Sequence, residues 1–146
     1  MLRRIFNRIS FVLLILGLIG CGEGNSQEKA QADNPNLTVE QAYELLQSDT
    51  NVVLIDVRTP QEFNGPLGHV KGALLKPVQQ INTWAPELNS LKDKKVLLIC
   101  RSGNRSGYAL RYLQQQGFTN VYNVMGGMRA WNSKGLPVEK QSEGVH

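Results

Sequence analysis

The sequence has little that would staple or tether it covalently. It holds two cysteines in 146 residues, Cys21 and Cys100. If the first is consumed at the N-terminus, as its surroundings suggest, one thiol remains, and neither an intramolecular disulfide nor a cysteine-only metal site can form. A dominant charge is also lacking. Sixteen basic residues face twelve acidic ones, yet Arg3, Arg4 and Arg8 lie in the first twenty positions, where no acid offsets them. The rest carries thirteen against twelve. A nucleic-acid-binding domain concentrates cations on its folded surface, and no such cluster is present, so nucleic acid is not an expected partner. There is no internal repeat, and the apolar run that begins at Phe11 ends near Ile19, short of the roughly 20 residues a membrane-spanning helix needs. What remains is 41% apolar and 19% charged, the composition of one globular domain with one core.

The first twenty residues read as an export address. A short cationic stretch precedes the apolar run, as in a secretory signal, and the run stops at Leu18-Ile19-Gly20-Cys21. That tetrapeptide resembles the lipobox of bacterial lipoproteins, which implies removal of residues 1–20 and acylation of Cys21. The expected product is an exported, membrane-anchored lipoprotein on the periplasmic or extracellular side, since several acyl chains hold far better than one. Residues 22–36 are polar and carry no aromatic or β-branched side chain, so a flexible tether is expected from 21 to 36. The folded domain is expected over 37–138, followed by a disordered tail over 139–146.

Within the domain, Thr38 is a candidate N-cap with Gln41 three residues on, and Ala42, Leu45 and Leu46 repeat at helical spacing. Val52-Val53-Leu54-Ile55 and Lys95-Val96-Leu97-Leu98-Ile99-Cys100 are apolar on both faces, the mark of strands buried on both sides. Ala73-Leu74-Leu75 and Val121-Tyr122-Asn123-Val124 are shorter candidates. Residues 105–116 form the best helix, with Ala109, Leu110 and Leu113 on one face and Gly117 as its stop. Gly126-Gly127 precedes a short helix through Trp131, and residues 77–91 are irregular, interrupted by Pro86. The pattern predicts an α/β fold with a mainly parallel central sheet flanked by helices on both faces.

Cys100-Arg101-Ser102-Gly103-Asn104-Arg105-Ser106 joins the most apolar strand to the best helix. That is the carboxyl edge of a parallel sheet, where open α/β folds bind ligands. The helix N-terminus favours negative charge, and Arg101 and Arg105 add cations. Together they lower the thiol pKa from its free value of about 8.5, while Gly103 allows a tight turn that aims backbone N–H groups inward. The bland alternative, a buried structural cysteine, fits this cationic setting poorly.

Four stretches, in order, resemble the rhodanese family of sulfurtransferases: Leu54-Ile55-Asp56-Val57-Arg58 with Glu62-Phe63; Gly68-His69-Val70-Lys71-Gly72-Ala73; the Cys100 loop; and Gly126-Gly127-Met128 with Trp131. The resemblance implies that Cys100 takes the outer sulfur of a small inorganic donor such as thiosulfate and passes it, as a persulfide, to a thiol or cyanide acceptor. Arg101, Ser102, Gly103, Asn104 and Arg105 would bind donor and persulfide, and no cofactor or metal is implied. Relatives that use mercaptopyruvate have smaller, less cationic residues after the cysteine, so Arg101 points to an inorganic donor. Two alternatives stand beside this. One is a rhodanese-like binding or redox-sensing module without turnover. The other is a cysteine phosphatase or arsenate reductase, disfavoured because those loops place five residues between Cys and Arg and this one places four. Asp56, Arg58 and Glu62 read as a structural charge cluster, His69 as a packing and turn residue, and Trp84 and Trp131 as packing aromatics. Gly126-Gly127 reads as a tight turn beside the site.

Overall fold

The computed structural model describes residues 34–141. The expected signal segment, Cys21 and most of the expected tether lie outside the described residues. Among those described, no helix is long and apolar enough to cross a membrane.

Five parallel strands form one sheet in the order β1-β5-β4-β2-β3. They are β1 (Asn36–Leu37), β2 (Val52–Asp56), β3 (Leu74–Leu75), β4 (Lys95–Ile99) and β5 (Val121–Val124). The helices are α1 (Val39–Ser48), α2 (Pro60–Phe63), α3 (Ile81–Trp84), α4 (Asn104–Gln115) and α5 (Gly127–Ser133). Two 3₁₀ turns, Val78–Gln80 and Ala85–Leu91, flank α3, and Pro86 sits at the start of the second, where its missing N–H costs nothing. The Thr38 cap forms as the sequence suggested: its hydroxyl accepts from Gln41 N at 3.2 Å while the Gln41 side chain accepts from Thr38 N at 2.9 Å.

The apolar runs are explained by the layers. Alternate residues of β4 enter opposite cores: Val96, Leu98 and then Cys100 face α3 and α4, while Leu97 and Ile99 face α1 and α5. With both faces covered, the positions after Lys95 are all apolar, and Lys95 itself sits at the open start of the strand, where it pairs with Asp49. Trp84 and Trp131 are buried, and each indole N–H donates to a backbone carbonyl, of Pro77 and Pro137.

Two boundaries differ from the sequence reading. Asn36 does not belong to a free tether, because it pairs with Asn123 on the outer edge of β5 and extends the sheet by one short strand. Glu139, placed in the expected tail, exchanges both backbone hydrogen bonds with His69, at 2.8 and 2.9 Å, and the expected tail from 142 on lies outside the described residues. His69 is a packing residue, its ring stacked on Phe63 at 3.7 Å between centroids.

Asp56 and Arg58 are fully buried at the end of β2. Arg58 Nη2 lies 2.6 Å from Asp56 Oδ2, and its other N–H groups donate to Asp56 Oδ1 and to the carbonyls of Glu62 and Gly68. The guanidinium therefore holds both ends of the segment between α2 and Gly68. Removing one partner of such a pair strands a buried charge at a cost of about 3–5 kcal/mol. Arg58→Met is expected to lose stability on that scale, read as a lower urea midpoint at unchanged slope.

Candidate active site

Cys100 follows the last residue of β4, and its sulfur is almost wholly shielded from solvent, the residue being 1% exposed. The loop then climbs to α4. Gly103, the cap of that helix, has φ of +100°, a left-handed conformation that side chains disfavour. It turns its N–H onto Cys100 Sγ at 3.0 Å. From the first turn of α4, the Ser106 hydroxyl donates to the same sulfur at 3.3 Å. Burial pushes the thiol pKa up, but the Ser106 hydroxyl and the backbone N–H groups of Ser106, Ser102 and Gly103 outweigh it, and the net displacement is downward. The sulfur is stabilised as an anion by short-range donors in a dry place.

The next segment of chain fixes the loop's orientation. Met128 N donates to the Cys100 carbonyl at 2.8 Å and Arg129 N to the Arg101 carbonyl at 3.0 Å. With these carbonyls tied to α5, the loop's N–H groups are free to turn the other way, toward the sulfur. The approach requires Gly127, at φ +55°, where a Cβ would fall on the Cys100 carbonyl oxygen and within 2.8 Å of Ser102 N. Gly126-Gly127 is thus the close turn expected beside the site, and its neighbours' N–H groups serve the loop backbone.

The residues picked from sequence separate on inspection. Gly103 and the Ser102 backbone reach the sulfur; Arg101 and Asn104 stand exposed at the loop surface. Arg105 departs from expectation. Its two terminal nitrogens each lie 2.7 Å from a Glu62 carboxylate oxygen, a bidentate pair. Arg105 is therefore not a free cation for an incoming anion, and Glu62 is not simply part of the Asp56–Arg58 cluster. Hydrogen bonds from Arg105, partly offset by burial and aided by the Thr59 N–H, hold the Glu62 carboxyl down to about 2. Ser106 was missed as a functional residue. Its signal was available, because the first turn of a helix that starts after a strand-end cysteine aims back at that cysteine.

Comparison with known proteins bears on this geometry. The family model described as rhodanese-like domain matches residues 38–134. The chain belongs to the rhodanese-like domain family. It is 42% identical over 88 residues to the sulfurtransferase of Allochromatium vinosum, covering 60% of this chain and 78% of that one. It is 34% identical over 113 residues to the putative sulfur carrier protein YrkF of Bacillus subtilis, covering 77% of this chain and 58% of that protein. Among solved structures, the polysulfide-sulfur transferase homodimer of Wolinella succinogenes is similar at 31% identity and a TM-score of 0.61, covering 82% of this chain and 88% of that one. For this rhodanese-like domain, sulfur transfer is the activity supported at the level of the family.

Two outcomes follow from the hydrogen bonds. Ser106→Ala removes a donor to the thiolate, so the pH midpoint of Cys100 alkylation by iodoacetamide is expected to rise, with reactivity falling at neutral pH and returning in alkali. The Glu62 carboxyl is depressed in the folded state, so its contribution to stability is complete above its unfolded pKa and is lost as pH falls toward about 2. Denaturation midpoints measured across that acid range are expected to fall less steeply for Glu62→Gln than for the native chain.

Proposed function

We infer that the protein carries a sulfane sulfur on Cys100, taking it from a small inorganic donor such as thiosulfate and giving it to a thiol or cyanide acceptor. The observation that carries this reading is the buried Cys100 sulfur at the end of β4, receiving the Gly103 N–H and the Ser106 hydroxyl. In the first step the thiolate attacks the outer sulfur of the donor. A sulfur–sulfur bond forms to Cys100 as the bond within thiosulfate breaks, and sulfite departs with the electron pair. The outer sulfur then bears the negative charge, and the loop N–H groups from residues 101–105 are the donors available to it. In the second step an acceptor nucleophile takes that sulfur and Cys100 leaves as the thiolate. The exchange needs no metal or organic cofactor.

Arg101 supports an anionic donor, because it is the exposed cation beside Cys100 while Arg105 is neutralised by Glu62. The named relatives support the sulfur chemistry and do not specify thiosulfate. We further propose that the domain works outside the cytoplasm, held to a membrane by acylated Cys21; the cationic start, the apolar run and Gly20-Cys21 support this.

Intact-protein mass spectrometry tests the transfer. Incubation with thiosulfate is expected to add one sulfur atom, which cyanide removes as thiocyanate, while Cys100→Ser acquires none. The reading fails if neither thiosulfate nor polysulfide adds mass and no thiocyanate appears.

A further inference from the structure

A cleft of about 370 Å³ opens beside the Cys100 loop, lined by Arg58, Gln61, Glu62, Pro66, Leu67 and Arg101. Its volume is near the lower end of small-molecule sites. Cys100 does not line it, but Arg101, the next residue, does, so the cleft leads to the loop and stops short of the sulfur.

The charges around the cleft cancel with one exception. The Arg58 guanidinium is used up by Asp56 and by the carbonyls of Glu62 and Gly68. Both Glu62 carboxylate oxygens are taken by Arg105. Arg101 is exposed and has no ion-pair partner among the described residues. The remaining wall is the Pro66 ring, the Leu67 side chain and the Gln61 stem, all at least partly open to solvent. An apolar floor with a single cation at the end nearest the nucleophile has a definite chemical complement. Thiosulfate and cyanide are small hydrated ions that gain nothing from the floor. A tripeptide-like polar thiol would lose hydration along the Pro66 and Leu67 wall and find only Arg101 and the Gln61 amide in return.

We propose that this cleft is the acceptor subsite, and that the acceptor is a small organic thiol with an uncharged apolar body, its thiolate drawn to Arg101. The inference rests on sulfur transfer through Cys100 and adds the class of acceptor. The body lies against Pro66 and Leu67, and the acceptor sulfur reaches past Arg101 to the outer sulfur of the Cys100 persulfide. A sulfur–sulfur bond forms to the acceptor as the bond to Cys100 breaks; Cys100 leaves as the thiolate, and the product is an organic persulfide. The sulfane sulfur moves without an outside oxidant or reductant.

The test compares two neutral thiols of similar acidity, benzyl mercaptan and 2-mercaptoethanol, as acceptors for the persulfide formed on the full-length protein. Loss of the added sulfur is followed by intact mass, and each rate is divided by the same thiol's rate with a small persulfide free in solution. The apolar thiol is expected to be preferred by about tenfold after that correction, the effect of burying part of one ring. Gln61→Trp, which fills the cleft from an exposed position, and Leu67→Asn, which makes its floor polar, are each expected to reduce the preference to about twofold or less. Arg101→Gln is expected to slow both thiols while keeping their ratio. Equal corrected rates for the two thiols, or a preference that survives in both cleft variants, would overturn the assignment even though persulfide forms. Absence of any added mass from thiosulfate or polysulfide would instead bring down the transfer reading, and this inference with it.

Discussion

Burial and charge make opposite demands on the Cys100 sulfur, and the surrounding structure answers both. A thiol at the end of a doubly covered strand belongs to the core, where an anion is expensive. A nucleophilic thiolate needs that anion. The conflict is resolved by donors that the core cannot supply: the Gly103 N–H, the Ser106 hydroxyl and the backbone at Ser102. These donors face the sulfur because the loop's carbonyls at Cys100 and Arg101 are bound by Met128 and Arg129. The last helix therefore acts on the nucleophile without touching it. Gly127 is the point at which that arrangement would fail, since any side chain there would occupy the space of the loop backbone.

A second chain of contacts runs from the core outward. The buried Asp56–Arg58 pair ties down the segment after β2, and Arg58 also binds the Glu62 carbonyl. Glu62 is further held by its reciprocal cap with Thr59, and its carboxylate then grips Arg105 on α4. Two charge pairs thus connect the end of β2 to α4. The first is costly to break because it is dry; the second is half-exposed and contributes more to placement than to stability.

Much of this was legible beforehand where a local rule applied. The α/β architecture followed from strands apolar on both faces, and the ends of α1 and α4 followed from Thr38 with Gln41 and from Gly117. The Cys100 loop stood out because arginines, glycine and serine are poor company for a structural cysteine. What escaped depended on distance in the chain. Glu62 and Arg105 are 43 positions apart, and neither position betrays its partner. Strand β1 is two residues long and exists because β5 offers an unpaired edge, which no periodicity in Asn36-Leu37 announces. The His69–Glu139 bridge is of the same kind. Ser106 is the instructive case: it stands outside the residues picked from the loop, yet its hydroxyl donates to the sulfur.

The way the loop meets the sulfur also bears on selectivity. A loop closing on a tetrahedral oxyanion must surround several oxygens and neutralise more than one charge. Here the donors converge on a single sulfur, Arg105 is already neutralised, and Arg101 stands at the rim. A dianion such as thiosulfate would be met by the exposed Arg101 guanidinium and a few N–H groups, an arrangement suited to brief encounter that weakens as salt screens the exposed charge. On the proposed reading, transfer of the outer sulfur would leave a single negative charge beside Cys100 Sγ, the atom on which the loop donors converge. On the sulfur-transfer reading, the same arithmetic favours release of sulfite: the departing dianion leaves behind donors now occupied by the persulfide and keeps only exposed, salt-screened charge such as that of Arg101 to hold it.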